Sequence, residues 1–239
     1  MIAAVIQARM TSSRLPGKVL ADVAGRPSLQ WMLERVSRTP GLDTIVVATT
    51  VNTEDDPVVE LCTKLGVTVH RGDEHNVLQR FYDAAALVGA DTVIRLTADC
   101  PMIDPGVIGD VIKLFETGQF DYVSNVFRRT YPDGLDAEIF GFAALEEARN
   151  NATHSYQREH VTPYLHGIRA DVPAGDFRRG ELLYSADFGH VRWTVDYAED
   201  LERVRQFFSI LPEHFTWLEA LSLATKEPSL LGLPMRENP

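Results

Sequence analysis

Cysteine is scarce in this chain: Cys62 and Cys100 stand alone among 239 residues. Their separation matches no zinc or redox spacing, and so sparse a pair fits a reducing compartment, so a cytoplasmic protein is expected. Long apolar runs are also lacking. No stretch reaches the roughly 18 apolar residues of a membrane span. Residues 1–8 are apolar but have neither a basic leader nor a cleavage site, so they read as a strand and not as a signal peptide. Positive charge is short: 23 Lys and Arg face 34 Asp and Glu, a formal balance of −11. That balance argues against general nucleic-acid or anionic-membrane binding. The phosphate motifs GxxxxGK[ST] and GxGxxG are absent, as is the GxSxG nucleophile turn. No internal repeat, low-complexity tract or long linker interrupts the chain.

What is present is an alternation of apolar runs. Ile2–Gln7, Thr44–Thr49, Val67–His70, Thr92–Leu96 and Asp121–Asn125 have strand character. Helical periods lie between them: Ser28–Val36, a segment ending near Leu65, His75–Val88 and Pro105–Thr117. This rhythm predicts an α/β fold with a mostly parallel sheet flanked by helices. It breaks after Asn125. Beyond it, strands are expected at Asp136–Phe140, Phe177–Ser185 and Val191–Val195. Helices are expected at Phe142–Arg149, Tyr156–His166, Asp200–Leu211 and Trp217–Lys226, and the tail with Leu230, Leu231 and Leu233 has no clear period. We expect one domain over 1–239, with a smaller insertion at about 126–185 for acceptor binding or dimerisation. Its aromatics Phe127, Tyr131, Tyr156 and Tyr164 suit either a homodimer surface or the core.

The segment Ala8–Leu20 follows the first strand and carries Arg9, Arg14 and Lys18, three hydroxyl residues and the turn Pro16-Gly17. Ligands of open α/β sheets bind at the carboxyl ends of the strands, where this loop falls. Clustered cations and hydroxyls there suit a polyphosphate; the alternative is a solvated turn. Asp99 and Asp196 each follow an expected strand. They suit Mg²⁺, which takes hard oxygens, or else they cap the next helices. Asp136 and Glu138 share a face at period two and could hold sugar hydroxyls, act as a base, or form a solvated edge. Glu159 and His160 could orient an acid–base pair or a sugar, although adjacent helical residues do not face each other. Arg80 could reach a phosphate or base, or pair with a nearby acid. His154, His166 and His190 read as structural.

Five segments carry a resemblance along nearly the whole chain. They are Ala8–Leu20, Arg95–Pro101, Tyr131–Asp136, Arg158–Tyr164 and Arg192–Asp196, the last running on into Tyr197–Val204. Together they resemble the sugar cytidylyltransferases that make CMP-octulosonate and CMP-sialic acids. The branch most similar is that of the spore coat polysaccharide biosynthesis (SpsF-like) proteins. The resemblance implies a nucleotide-diphospho-sugar transferase (GT-A, Rossmann-like) sheet. It implies transfer of CMP from CTP to a sugar, an acidic one being favoured, with release of pyrophosphate and with Mg²⁺. Matched position by position, Arg9, Arg14 and Lys18 bind the triphosphate, with Arg14 and Lys18 acting in catalysis. Ala8 and Arg9 help seat the nucleotide, and Asp99 and Asp196 hold the metal. Asp136, Glu138, Glu159 and His160 would face the acceptor. Two segments depart from the octulosonate enzymes: Leu96 and Ala98 flank the turn where those have Gln-Gly-Asp, and of their Gly-Thr-Asp-Arg only Arg80 is matched. A glycosyltransferase that consumes a nucleotide sugar, and a non-catalytic nucleotide-binding module, are the competing expectations.

Overall fold

The computed structural model describes residues 1–232. At its centre is a seven-stranded sheet. Its strands are β1 (Ile2–Gln7), β4 (Thr44–Thr50), β5 (Thr68–Gly72), β6 (Thr92–Thr97), β7 (Tyr122–Ser124), β8 (Glu138–Gly141) and β9 (Arg179–Glu181). A small antiparallel pair, β2 (Asp22–Val23) and β3 (Arg26–Pro27), stands apart. The helices are α1 (Ser28–Val36), α2 (Asp56–Leu65), α3 (Val77–Leu87), α4 (Pro105–Glu116), α5 (Phe142–Asn151), α6 (Ser155–His160), α7 (Pro163–His166), α8 (Ala198–Ile210) and α9 (Trp217–Lys226). The strand order is β5-β4-β1-β6-β8-β7-β9.

Alternate residues of β1 serve opposite layers, as the period of two requires. Ala4 and Ile6 join Leu29, Met32, Val58, Cys62, Ile108 and Ile112 under α1, α2 and α4. Ala3 and Val5 join Leu78, Phe81, Ala84 and Leu145 under α3 and α5. With helices on both faces, a strand is buried on both sides and reads as one continuous apolar run. A third cluster gathers Val23, Trp31, Trp193, Phe207 and Phe215 between the small pair, α8 and α9.

The chain winds outward from β1 through β4 to β5, then returns to place β6 on β1's other side. The strand order reverses between β1 and β6, which is where such sheets open a ligand crevice. Ala8–Lys18 leaves one of these strands and Ala98–Asp99 leaves the other.

Several expectations change. β8, inside the 126–185 stretch, runs antiparallel between β6 and β7, so that stretch is woven into the sheet. The long helix expected at Tyr156–His166 is two short ones. Val161 has φ 70° and ψ −60°, and Thr162 N donates to His160 O at 2.8 Å, which makes a γ-turn. Pro163 then opens α7, having no N–H to continue α6. The Phe177–Ser185 strand is reduced to β9 because its partner β7 is itself only three residues long. Val191–Val195 is not a sheet strand. It is extended but flanked by non-strand backbone: Asp133 N donates to Val191 O at 2.9 Å and Arg192 N to Leu231 O at 2.9 Å. Only an isolated bridge, Asp133 to Arg192, results. Of the aromatics weighed for a dimer surface, Tyr131 is in the core and Phe127 stacks on Tyr122. Leu230 is buried, and Leu233 lies outside the described residues. Among the described residues, no helix is long and apolar enough to cross a membrane.

Candidate active site

The loop after β1 is held from two sides. Gly17, at φ 75°, donates its N–H to Met10 O at 2.9 Å and closes the loop at its base. Only glycine adopts this backbone at little cost. On the other side, Met10 N donates to Asp55 Oδ1 at 2.6 Å. Asp55 is fully buried, and its second oxygen accepts the amide and the hydroxyl of Thr50. A buried carboxylate with its lone pairs met in this way fixes the loop's exit from the sheet.

Lys18 turns inward from this loop. Its Nζ donates to Asp196 Oδ1 at 2.8 Å, Val195 O at 2.8 Å and Asp99 Oδ2 at 3.1 Å. Arg14 Nη2 lies 2.7 Å from the same Asp196 Oδ1. Arg192 Nη2 donates to Asp196 Oδ2 at 3.0 Å. Burial lowers the Lys18 ammonium's pKa, but Asp99 and Asp196 outweigh it and hold it above the ordinary lysine value. Burial likewise pushes the Asp99 carboxyl up, and Lys18 with Thr97 more than reverses this. Lys18 and Asp99 are therefore both ionised at neutral pH.

Neither aspartate caps a helix. Asp104 caps α4, accepting from Gly106 N and Val107 N. Asp200 accepts from Asp196 N and Tyr197 N at 3.0 and 2.9 Å at the start of α8. Asp196 does not reach the site on a strand end. It is delivered by the extended segment through Val195 N, which donates to Asp99 O at 2.8 Å.

Two cavities meet at this cluster. The larger, about 660 Å³, runs from Ala8, Arg9 and Arg14 to Arg80, Glu159 and His160. Its volume suits a ligand of nucleotide size. The smaller, about 270 Å³, is lined by Arg95, Asp133, Asp136, Glu138, Thr194 and Asp196. Thr97 and Asp99 line both. The four residues expected to face an acceptor are thus divided: Glu159 and His160 border the larger cavity, Asp136 and Glu138 the smaller.

Arg9 and Arg80 of the larger cavity already have partners. Arg9 Nη1 pairs with Glu74 Oε1 at 3.3 Å, and Glu74 also accepts from Thr11 Oγ1 at 2.9 Å and Asn52 Nδ2 at 2.7 Å. These bonds, Thr11's first, keep Glu74 below the usual carboxylate range. Arg80 is buried and donates to Asp73 O and Glu74 O, and burial lowers its pKa to about 10. In the smaller cavity Glu138 is bound by Arg95 and the Tyr122 hydroxyl, and Asp136 by Arg129 Nη2 at 2.8 Å. The histidines read as structural behave so where bonds are seen. His154 Nδ1 caps α6 through Tyr156 N, and His166 Nδ1 accepts from Ile168 N.

Asp99 and Asp196 suit a hard divalent cation. Both carboxylates reach one atom, Lys18 Nζ, so they converge on a point where positive charge is stabilised. Mg²⁺ is commonly bound by one or two carboxylates, with substrate phosphates and water completing the shell. Among the described residues no group of three or more His, Cys, Asp or Glu forms a self-sufficient metal cage. Asp133, Glu74 and Asp55 are parts of the site that the sequence did not expose. Asp133 was hidden in an Asp-Gly turn signal, and the other two in polar helix-start segments.

A mostly parallel sheet with this cluster at its switch point, opening onto a nucleotide-sized cavity, defines a nucleotidyltransferase. The chain belongs to the cytidylyltransferase family, whose model matches residues 3–223. It is similar to 8-amino-3,8-dideoxy-manno-octulosonate cytidylyltransferase of Shewanella frigidimarina, with 40% identity over 78% of this chain and 86% of that one. It is 31% identical to the spore coat polysaccharide biosynthesis protein SpsF of Bacillus subtilis over 85% of each. The structure of a cytidylyltransferase from Leptospira borgpetersenii superposes with a TM-score of 0.89, at 32% identity and 99% coverage of both chains.

Proposed function

We propose that this enzyme transfers CMP from CTP to a hydroxyl of a sugar, an acidic one, releasing pyrophosphate, for surface polysaccharide or glycoconjugate assembly. The observation that carries this reading is the meeting of the two cavities at Thr97 and Asp99, beside Lys18. A nucleotide in the larger cavity and an acceptor in the smaller would bring their reacting atoms together there. The relatives' names support cytidine as the base and a sugar acid as the acceptor class.

The acceptor oxygen attacks the α-phosphorus in line; the new O–P bond forms as the bond to pyrophosphate breaks. Such transfers are catalysed mainly by positioning and charge stabilisation. Arg9 exchanges Glu74 for the triphosphate, and the loop's amides and hydroxyls wrap the β- and γ-phosphates. Arg14 and Lys18 neutralise charge nearest the leaving group. Mg²⁺ held by Asp99 and Asp196 would supply Lewis-acid stabilisation of the α-phosphate and pyrophosphate oxygens. Arg192 and Asp200 keep Asp196 in place: Arg192 donates to Asp200 Oδ1 at 2.6 Å as well as to Asp196.

The test is pyrophosphate release with each of the four ribonucleoside triphosphates, with and without Mg²⁺, across a panel of sugars. Release with CTP alone, dependent on metal and on one acceptor, supports the reading. Release with another nucleotide overturns the base assignment. Sugar transfer from a nucleotide sugar without pyrophosphate overturns the reaction.

A further inference from the structure

Five acids line the smaller cavity: Asp99, Asp133, Asp136, Glu138 and Asp196. Four of them are committed to close partners. Asp99 is held by Lys18 at 3.1 Å, Asp196 by Lys18 at 2.8 Å, Asp136 by Arg129 at 2.8 Å, and Glu138 by Arg95 and Tyr122. Asp133 differs. Its nearest cations are Arg129 Nη1 at 3.4 Å and Arg192 Nε at 3.8 Å.

Its backbone, by contrast, is fixed. Asp133 N donates to Val191 O at 2.9 Å, and Trp193 N donates to Asp133 O at 2.7 Å. The next residue, Gly134, has φ 111°, and a Cβ there would lie 2.9 Å from the Trp193 carbonyl carbon. The turn therefore presses against the segment that delivers Asp196. Thr194 of that segment also lines the cavity, and its buried hydroxyl oxygen has no hydrogen-bond partner. A cavity-lining hydroxyl left in this state is available to a polar group of a ligand.

We propose that Asp133 is the general base of the transfer, accepting the proton of the attacking acceptor hydroxyl, with Thr194 Oγ1 bonding a second hydroxyl of the same polyol. This rests on the reaction proposed above. The proton passes from the acceptor O–H to the Asp133 carboxylate as the oxygen bonds to the α-phosphorus, and pyrophosphate leaves with the electrons of the broken P–O bond. The surroundings suit the task. Burial and the nearby charge of Asp136 raise the Asp133 pKa to about 6, against the pull of Arg129 and Arg192, and Asp99 adds to the rise. A carboxylate of that basicity is ionised at neutral pH yet holds a proton better than an ordinary aspartate. His160, whose imidazole burial holds below its ordinary pKa, borders the larger cavity instead.

The test compares Asp133→Asn with the unsubstituted enzyme. Its readouts are pyrophosphate release from pH 5 to 9, CTP binding by calorimetry, and the circular dichroism spectrum. The expected result is a fall in kcat of about a hundredfold or more, with CTP affinity and spectrum unchanged. The acid limb near pH 6 in kcat/KM for the acceptor is lost with it. Retention of kcat within a few-fold, persistence of the limb, or loss of CTP binding each overturns the base role. If the unsubstituted enzyme releases no pyrophosphate from CTP with any acceptor, the reaction itself is wrong and the base falls with it. Thr194→Val separates the second contact: a raised KM for the acceptor with kcat kept is expected, and an unchanged KM removes Thr194 from the proposal.

Discussion

Lys18 Nζ and Asp196 Oδ1, 178 positions apart in sequence, stand 2.8 Å apart in the structure. This one bond ties the loop after the first strand to the segment that opens α8. Lys18→Ala breaks it and also leaves Asp99 without its ammonium. Turnover is expected to fall about 10²–10³-fold, as for loss of one charge-stabilising donor in a desolvated site; pyrophosphate release measures it. The folded-state pKa of Lys18 lies above 10.5. Its stabilising effect is therefore complete below that pH and is lost only as the pH rises through the higher folded value. Thermal melts of the unsubstituted protein should show no loss from this group between pH 7 and 9.

Asp55 has no contact with a substrate in this scheme, yet it holds the loop. Asp55→Ala removes the acceptor for the Met10 and Thr50 amides. A cost of about 1–3 kcal/mol is expected for the buried donors left unpaired. The KM for CTP should rise more than kcat falls. Urea unfolding and steady-state kinetics read the two effects separately.

Glu74 occupies Arg9, Thr11 and Asn52 in place of a phosphate. Glu74→Gln removes a negative charge from the triphosphate's path while keeping a hydrogen-bonding side chain. CTP should bind several-fold tighter, and less so as salt is raised, because exposed charges are screened. A weaker affinity would make Glu74 a ligand of the nucleotide and not its competitor.

Asp133 carries a cost to stability. Its pKa is about 6 in the folded chain against 3.8 ordinarily, so the folded state holds its proton more tightly. The group favours folding at pH values below 3.8, and that contribution is lost as the pH rises through 6. Asp133→Asn should therefore be more stable than the unsubstituted protein at pH 8, by about 1–3 kcal/mol. The gap should close by pH 4. Melting temperatures at the two pH values check it.

Much of this site was open to a reader of the sequence. Strands buried on both faces announce themselves as apolar runs, and the loop from Ala8 to Leu20 concentrates its cations where the sheet must open. What stayed hidden depends on contacts between distant segments. The run Val191–Val195 has strand chemistry, with Val191, Trp193 and Val195 buried. Its neighbours are a turn and the tail, and local pattern does not report neighbours. The same holds for Asp133, whose basicity comes from its burial and from the charge of Asp136, against the pull of Arg129 and Arg192. Pro163 did mark the break between α6 and α7, but the apolar period across Val161 and Leu165 concealed it.

The insertion of β8 between β6 and β7 bears on how the chain is made. During synthesis β7 leaves the ribosome before β8, yet β7 has no place on the sheet until β8 has paired with β6. The half-sheet of β5, β4, β1 and β6 can assemble from the first hundred or so residues, since its pairings are all complete by Thr97. Until Glu138–Gly141 emerges, β6 then presents an open edge, the kind of surface on which nascent chains pair with one another. Chaperone contact with the growing polypeptide should concentrate in that interval, before Thr194 and Asp196 have been made to complete the catalytic centre.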